Sequence, residues 1–247
     1  MNNWWRTLLL TVFATLVFFV STWPAKQLLH FVPKSQQPSY SRLQGSLWSG
    51  SADQLVLKHI RLGKVHWDAQ LPQRAALTYR WQIDSGHSIG QGLVDIFGNQ
   101  HLSLRQVRAQ LDLEKWLDML VSAKLPLPVS GKGQVKLKRL ELNNQKITDL
   151  QGQLEIHQLE LSQQALGDLH IEFTTEDNGN IIATLSDQGG PLQVSGSITL
   201  SIKNRYRLNI LIGARNPKDP LNNLISFMGK SAPNGKRRIT NTGEFTF

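Results

Sequence analysis

From about Tyr40 onward, apolar and polar residues alternate with period two, as in Gln134-Val135-Lys136-Leu137 and Leu169-His170-Ile171-Glu172-Phe173. This spacing places every apolar side chain on one face of an extended chain, so it predicts half-buried strands. A finer pattern, two apolar-x-apolar pairs separated by two residues, recurs four times. The copies are Leu55/Leu57/Ile60/Leu62, Leu102/Leu104/Val107/Ala109, Val135/Leu137/Leu140/Leu142 and Leu154/Ile156/Leu159/Leu161. The last two are nineteen residues apart, and a glycine precedes each by two positions (Gly133 and Gly152). A regular strand would turn the second pair to the opposite face, so each copy requires a bulge or a tight corner that shifts the register by one. The expected fold is therefore mainly β, a curved antiparallel meander in which each strand leans on its neighbours.

Two short helices interrupt the strands. Leu113, Trp116, Leu117, Leu120 and Val121 follow helical spacing, with Asp112 as N-cap and the Pro126/Pro128 pair as terminator. In the second, Asp219 caps, Pro220 takes the first helical position, Leu221, Leu224, Ile225 and Met228 form the apolar stripe, and Gly229 closes it. Each helix ends a run of strands, which suggests two similar halves, about 40–125 and 130–247.

The first 25 residues break the alternation. Leu8 to Val20 reads LLLTVFATLVFFV, and with Thr7, Ser21, Thr22 and Trp23 the uncharged stretch is long enough for one transmembrane helix. Trp4 and Trp5 on one side and Trp23 on the other stand about 27 Å apart along a helix, the spacing of interfacial aromatic belts. A cleaved signal peptide is the rival reading, but bulky Trp23 would occupy the −3 position of a cut after Ala25. The chain therefore divides into an anchor (1–25), a linker with Pro33 and Pro38 (26–39) and a β-rich domain (40–247). Orientation is contested within the sequence. Arg6 precedes the helix while Lys26, Lys34 and Arg42 follow it, which favours an outside N-terminus, yet a long domain translocates largely regardless of charge.

Composition removes whole classes of chemistry. The chain has 247 residues and no cysteine, so disulfides, thiolate metal sites and thiol catalysis are excluded. A net charge of +9 invites a nucleic-acid reading, but most Lys and Arg alternate singly along strands. The tightest run, Lys236-Arg237-Arg238, lacks the aromatic interleaving of a stacking platform and reads as a solvated face, with an anion site as the alternative. Outside the cytoplasm such charge would meet anionic lipid or acidic partner proteins, and no nucleic acid is expected.

No catalytic constellation, metal site or cofactor motif is legible. Gly131-Lys132-Gly133 lacks the first glycine and the hydroxyl of a phosphate loop, and reads as the start of a strand. The seven histidines, His30, His59, His66, His87, His101, His157 and His170, are dispersed, mostly in the polar phase of strands and expected to face solvent. Glu176-Asp177-Asn178-Gly179 reads as a hairpin loop with a type I′ turn at Asn-Gly, and supplies too few oxygens for calcium.

The segment Leu43-Gln44-Gly45-Ser46-Leu47-Trp48-Ser49-Gly50-Ser51-Ala52 resembles the G-T-L-W-x-G-x-A signature of the type II secretion system protein N family, with Ser46 where Thr is commoner. Gly190, Pro191, Leu192, Val194 and Gly196 are similar to a later run of that family, as are the length and the single N-terminal anchor. From the residues themselves, Gly45 and Gly50 bracket a short strand whose Trp48 anchors a core. The resemblance implies a non-enzymatic inner-membrane component of the machine that exports folded proteins from the periplasm across the outer membrane. It also implies a cytoplasmic N-terminus, a periplasmic bulk, and as partners other secretion components and the outer-membrane pore. A second expectation comes from the meander, because bulged strands can curl into an apolar trough. The repeat resembles, more loosely, that of AsmA-like envelope proteins thought to hold lipids, which implies a lipid-binding or lipid-transfer role instead.

Overall fold

A computed structural model describes residues 24–28, 38–57, 60–71, 76–98, 100–120, 128–144, 146–202 and 205–244, together with Thr11. Apart from Thr11, the expected anchor run Leu8–Val20 and most of the linker lie outside the described residues. Among those described, no helix is long and apolar enough to cross a membrane.

Among the described residues the alternation builds one antiparallel sheet of fourteen strands that does not close on itself. In chain order they are β1 (Arg42–Gly45), β2 (Ser49–Leu57), β3 (Ile60–Gln70), β4 (Leu77–Asp84), β5 (Ile89–Ile96), β6 (His101–Asp112) and β7 (Val129–Asn143). There follow β8 (Lys146–Leu161), β9 (Gln164–Thr175), β10 (Ile181–Asp187), β11 (Leu192–Ser201), β12 (Arg205–Ala214), β13 (Lys230–Ser231) and β14 (Arg237–Glu244). Spatial order follows sequence order through β12, after which β14 pairs with β12 and the two-residue β13 takes the outer edge. The meander expected from the repeats is therefore present.

The repeats also mark where the register breaks. In the second copy β6 carries an extra residue against β5 between Leu104 and Val107, with Gln106 at φ 53°. In the third, β7 is bulged against β8 between Leu137 and Arg139. In the fourth, β8 is bulged against both neighbours between Ile156 and Leu159, with Gln158 at φ 52°. Each bulge returns the second apolar pair to the face of the first. The first copy differs: it straddles the β2–β3 hairpin, where Leu57 pairs with Ile60.

Among the described residues from Pro24 onward there are three short α-helices, α1 (Ala25–Leu28), α2 (Leu113–Leu120) and α3 (Leu221–Ser226), and one 3₁₀ turn at Pro233–Gly235. At α2, Asp112 caps as expected, its Oδ1 accepting the Lys115 N–H at 3.4 Å. At α3, Asp219 Oδ1 accepts the Leu221 N–H at 2.9 Å, and Gly229 takes φ 58° beyond the helix. α3 is shorter than the stripe suggested, ending before Met228, which stands exposed. Six strands precede α2, and six more lie between α2 and α3.

The hydrophobic core is compact and sits under α3. Leu221 and Ile225 pack on Leu166, Leu192, Val194 and Ile212 of β9, β11 and β12. Elsewhere the apolar face of the sheet is only half covered, with Leu104, Leu137, Leu154, Ile171, Ile198 and Leu208 all half-buried.

Candidate functional site

The signature segment does not form the expected strand. Gly45 pairs with Gly50 across β1 and β2, and Ser46 donates its N–H to the Ser49 carbonyl at 2.8 Å, closing a two-residue hairpin turn around Leu47 and Trp48. The Ser46 hydroxyl accepts the N–H groups of Trp48 and Ser49 at 3.2 and 3.3 Å, a side-chain turn that any hydroxyl residue can make. Gly45 is required because φ is 94° and a Cβ would press on the backbone of Ser49 and Gly50. Gly50 is required because a Cβ would stand 2.5 Å from Cζ2 of Trp67.

Trp48, expected as a core anchor, is half-buried at the turn, and its carbonyl accepts the Ala69 N–H. Trp67 takes the anchoring role, donating Nε1–H to the Ser46 carbonyl at 3.1 Å. Trp67 also pairs with Trp81, and Trp81 with Gly92, so two indoles sit side by side on the apolar face over glycine. Trp81 Nε1 is buried and has no hydrogen-bond partner among the described residues. The same turn receives the N-terminal segment, because Pro24 forms an antiparallel bridge with Ser46.

The second stretch of the resemblance lies at the opposite ends of the strands. Gly189 and Gly190 take φ 98° and 104° in the β10–β11 turn, and Leu192 and Val194 enter the core. Asp187 holds this turn, accepting from the Gly189 and Val194 N–H groups and pairing with Arg215, whose Nε bonds the Gly190 carbonyl at 2.9 Å. Both motifs are thus turn-forming devices.

A buried polar cluster went unread in the sequence because its members are far apart. Asp95 is 6% exposed and accepts Thr78 Oγ1–H at 2.7 Å, while Arg105 grips both its oxygens through Nε and Nη2. The carboxylate raises the Arg105 pKa further above its usual value by hydrogen bonding. A lone charge inside the apolar run Leu93-Val94-Asp95-Ile96 was the available signal. The pair ties β5 to β6 beside the Gln106 bulge, and at the other end of β5 α2 is fastened by Trp116 Nε1–H to Ser88 Oγ at 2.7 Å.

The dispersed titratable residues stay dispersed. His66 and His87 are exposed, His101, His157 and His170 are half-buried, and His30 and His59 lie outside the described residues. His157 Nδ1 meets Asp168 at 3.0 Å, and this bond, with the Gln158 N–H at 2.9 Å, lowers the Asp168 pKa. No three His, Asp or Glu side chains converge as metal ligands among the described residues. In the basic run Arg238 is exposed, while Lys236 and Arg237 are half-buried. Arg237 donates to the carbonyls of Met228 and Gly229 at 3.0 Å, stapling β14 to the chain beyond α3. The loop at Glu176–Gly179 is a hairpin, as expected, but its turn is not type I′. Gly179 N–H bonds the Glu176 carbonyl, and in this loop only Gly179 has positive φ, at 81°.

These features describe an open apolar sheet with turn motifs at both ends of its strands and no assembled catalytic group among the described residues. No curated protein and no solved structure matches the chain. The family described as type II secretion system (T2SS), protein N matches residues 38–240, from the bridge at Ser39 into the last strand. The chain therefore belongs to the type II secretion system protein N family.

Proposed function

We propose that this protein is a non-enzymatic, inner-membrane-anchored component of the type II secretion system that assists export of folded proteins from the periplasm across the outer membrane. The observation that carries this reading is the family match, which covers nearly the whole sheet. One helix over Leu8–Val20 holds the chain with its N-terminus in the cytoplasm, and residues 40–247 form a single periplasmic β-domain built from two similar halves. Support for the halves is the recurrence of six strands followed by a short helix. The domain docks other secretion components, and the outer-membrane pore, through the edges of a sheet that does not close. Pull-down from crosslinked membranes tests the role: recovery of no secretion subunit, under conditions that recover the other components together, overturns it. Alkaline phosphatase and a cytoplasm-only reporter, each fused after Phe247, test the orientation.

A second reading, lipid holding, is favoured by the half-covered apolar face and by the unpartnered Trp81 Nε1 donor set into it. Native mass spectrometry of gently extracted protein separates the two, since a groove retains phospholipid and a sealed core does not.

A further inference from the structure

We infer that one corner of the sheet, the ends of β3, β4 and β5 next to the Ser46–Ser49 turn, rests on the surface of the lipid bilayer through Leu71, Leu77 and Ile96. These side chains are 86%, 44% and 43% exposed. They are neighbours: Leu77 is the register partner of Ile96, and Leu71 follows Gln70, whose partner is Thr78, so Leu71 comes level with Leu77. Three large apolar groups on adjacent strands form a continuous patch with no cover in the described structure, which calls for an apolar partner.

The position of the patch identifies that partner. Pro24 is bridged to Ser46, and the Ser46–Ser49 turn joins β3 through the Ala69 N–H to the Trp48 carbonyl and the Ser49–Asp68 pair. Leu71 lies three residues beyond Asp68, at the same ends of the strands as this turn. With strands about 4.8 Å apart, β3, β4 and β5 lie one, two and three spacings from β2. The apolar core Leu8–Val20 of the expected anchor ends four residues before Pro24, and four residues reach at most about 14 Å. A membrane helix there holds this corner within reach of the headgroups, where apolar side chains settle about 5–10 Å deep at the headgroup–acyl boundary. The remaining exposed apolar residues, Ile89, Ile202, Phe227 and Met228, lie at the opposite strand ends or on β11 and beyond, away from the tether. The inference rests on the anchor reading above, and it adds which surface of the domain faces the lipid.

The absence of cysteine makes the test direct. Full-length Leu77→Cys, Ile96→Cys and Phe227→Cys each carry one environment-sensitive fluorophore, and are reconstituted into vesicles of phosphatidylethanolamine and phosphatidylglycerol containing nitroxide-labelled lipid. Circular dichroism confirms the β fold of each variant. The expected result is blue-shifted emission at 77 and 96, quenched several-fold more than at 227. If the chain floats with the vesicles but 77 and 96 are quenched no more than 227, the inference falls and the anchor stands. A chain that does not float overturns the anchor, and the inference with it.

Discussion

Trp67 fills the space that a side chain at position 50 would need, and from there its Nε1–H reaches the Ser46 carbonyl at 3.1 Å. One indole thus joins the two ends of the signature turn, using the bareness of Gly50 for packing and the turn backbone as an acceptor. The turn in turn holds Pro24, so a local packing detail governs where the chain enters the sheet.

Gly50→Ala forces a Cβ against Trp67 and the Gln44 carbonyl, and an overpacked site of this kind loses about 1–3 kcal/mol. Ser46→Ala removes the acceptor for two N–H groups and costs about 1 kcal/mol, whereas Ser46→Thr keeps the hydroxyl and stays near wild type. Chemical denaturation of the three variants checks the order; equal stability of Ala and Thr at position 46 refutes the turn argument.

Arg105→Ala strands the buried Asp95 carboxylate and is expected to cost about 2–4 kcal/mol, toward the lower end because Thr78 still bonds it. Adding Asp95→Ala removes the stranded charge, so the double variant is expected to be more stable than Arg105→Ala alone. Urea midpoints of the two singles and the double decide it, and strictly additive losses would show that the two groups do not interact.

Gln106 and Gln158 hold left-handed backbone at the bulges, where a residue with a Cβ pays roughly 1 kcal/mol that glycine avoids. Gln106→Gly and Gln158→Gly are therefore expected to raise stability by about 0.5–1 kcal/mol, the reverse of glycine's usual effect inside a strand. Melting temperatures below wild type for both contradict this.

The Asp168 pKa lies below its usual value because His157, and then the Gln158 N–H, bond the charged form. A lowered folded value means the stabilisation is complete above the unfolded carboxylate midpoint of about 3.9 and is lost as pH falls through the folded midpoint. NMR titration of the Asp168 carboxyl should find that depressed midpoint, and His157→Ala should move it upward. A midpoint indifferent to the substitution refutes the pairing.

Period-two alternation determined strand type, strand sequence and the shared apolar face, because each depends only on which residues sit two apart. The paired-apolar repeat even located three bulges, since a phase change in alternation has to be absorbed where it occurs. The helix caps at Asp112 and Asp219 were legible for the same local reason. Tertiary structure alone decided the rest. The Gly45–Gly50 segment looked like a strand because its residues are compatible with one, and became a turn because Trp67, seventeen residues past Gly50, occupies the space above that glycine. Asp95 found Thr78 and Arg105 only when three strands came into register, and Pro24 met Ser46 only when the first hairpin had formed. Pairings between distant residues depend on register across strands, and a linear pattern carries each strand's phase but not its alignment with the next.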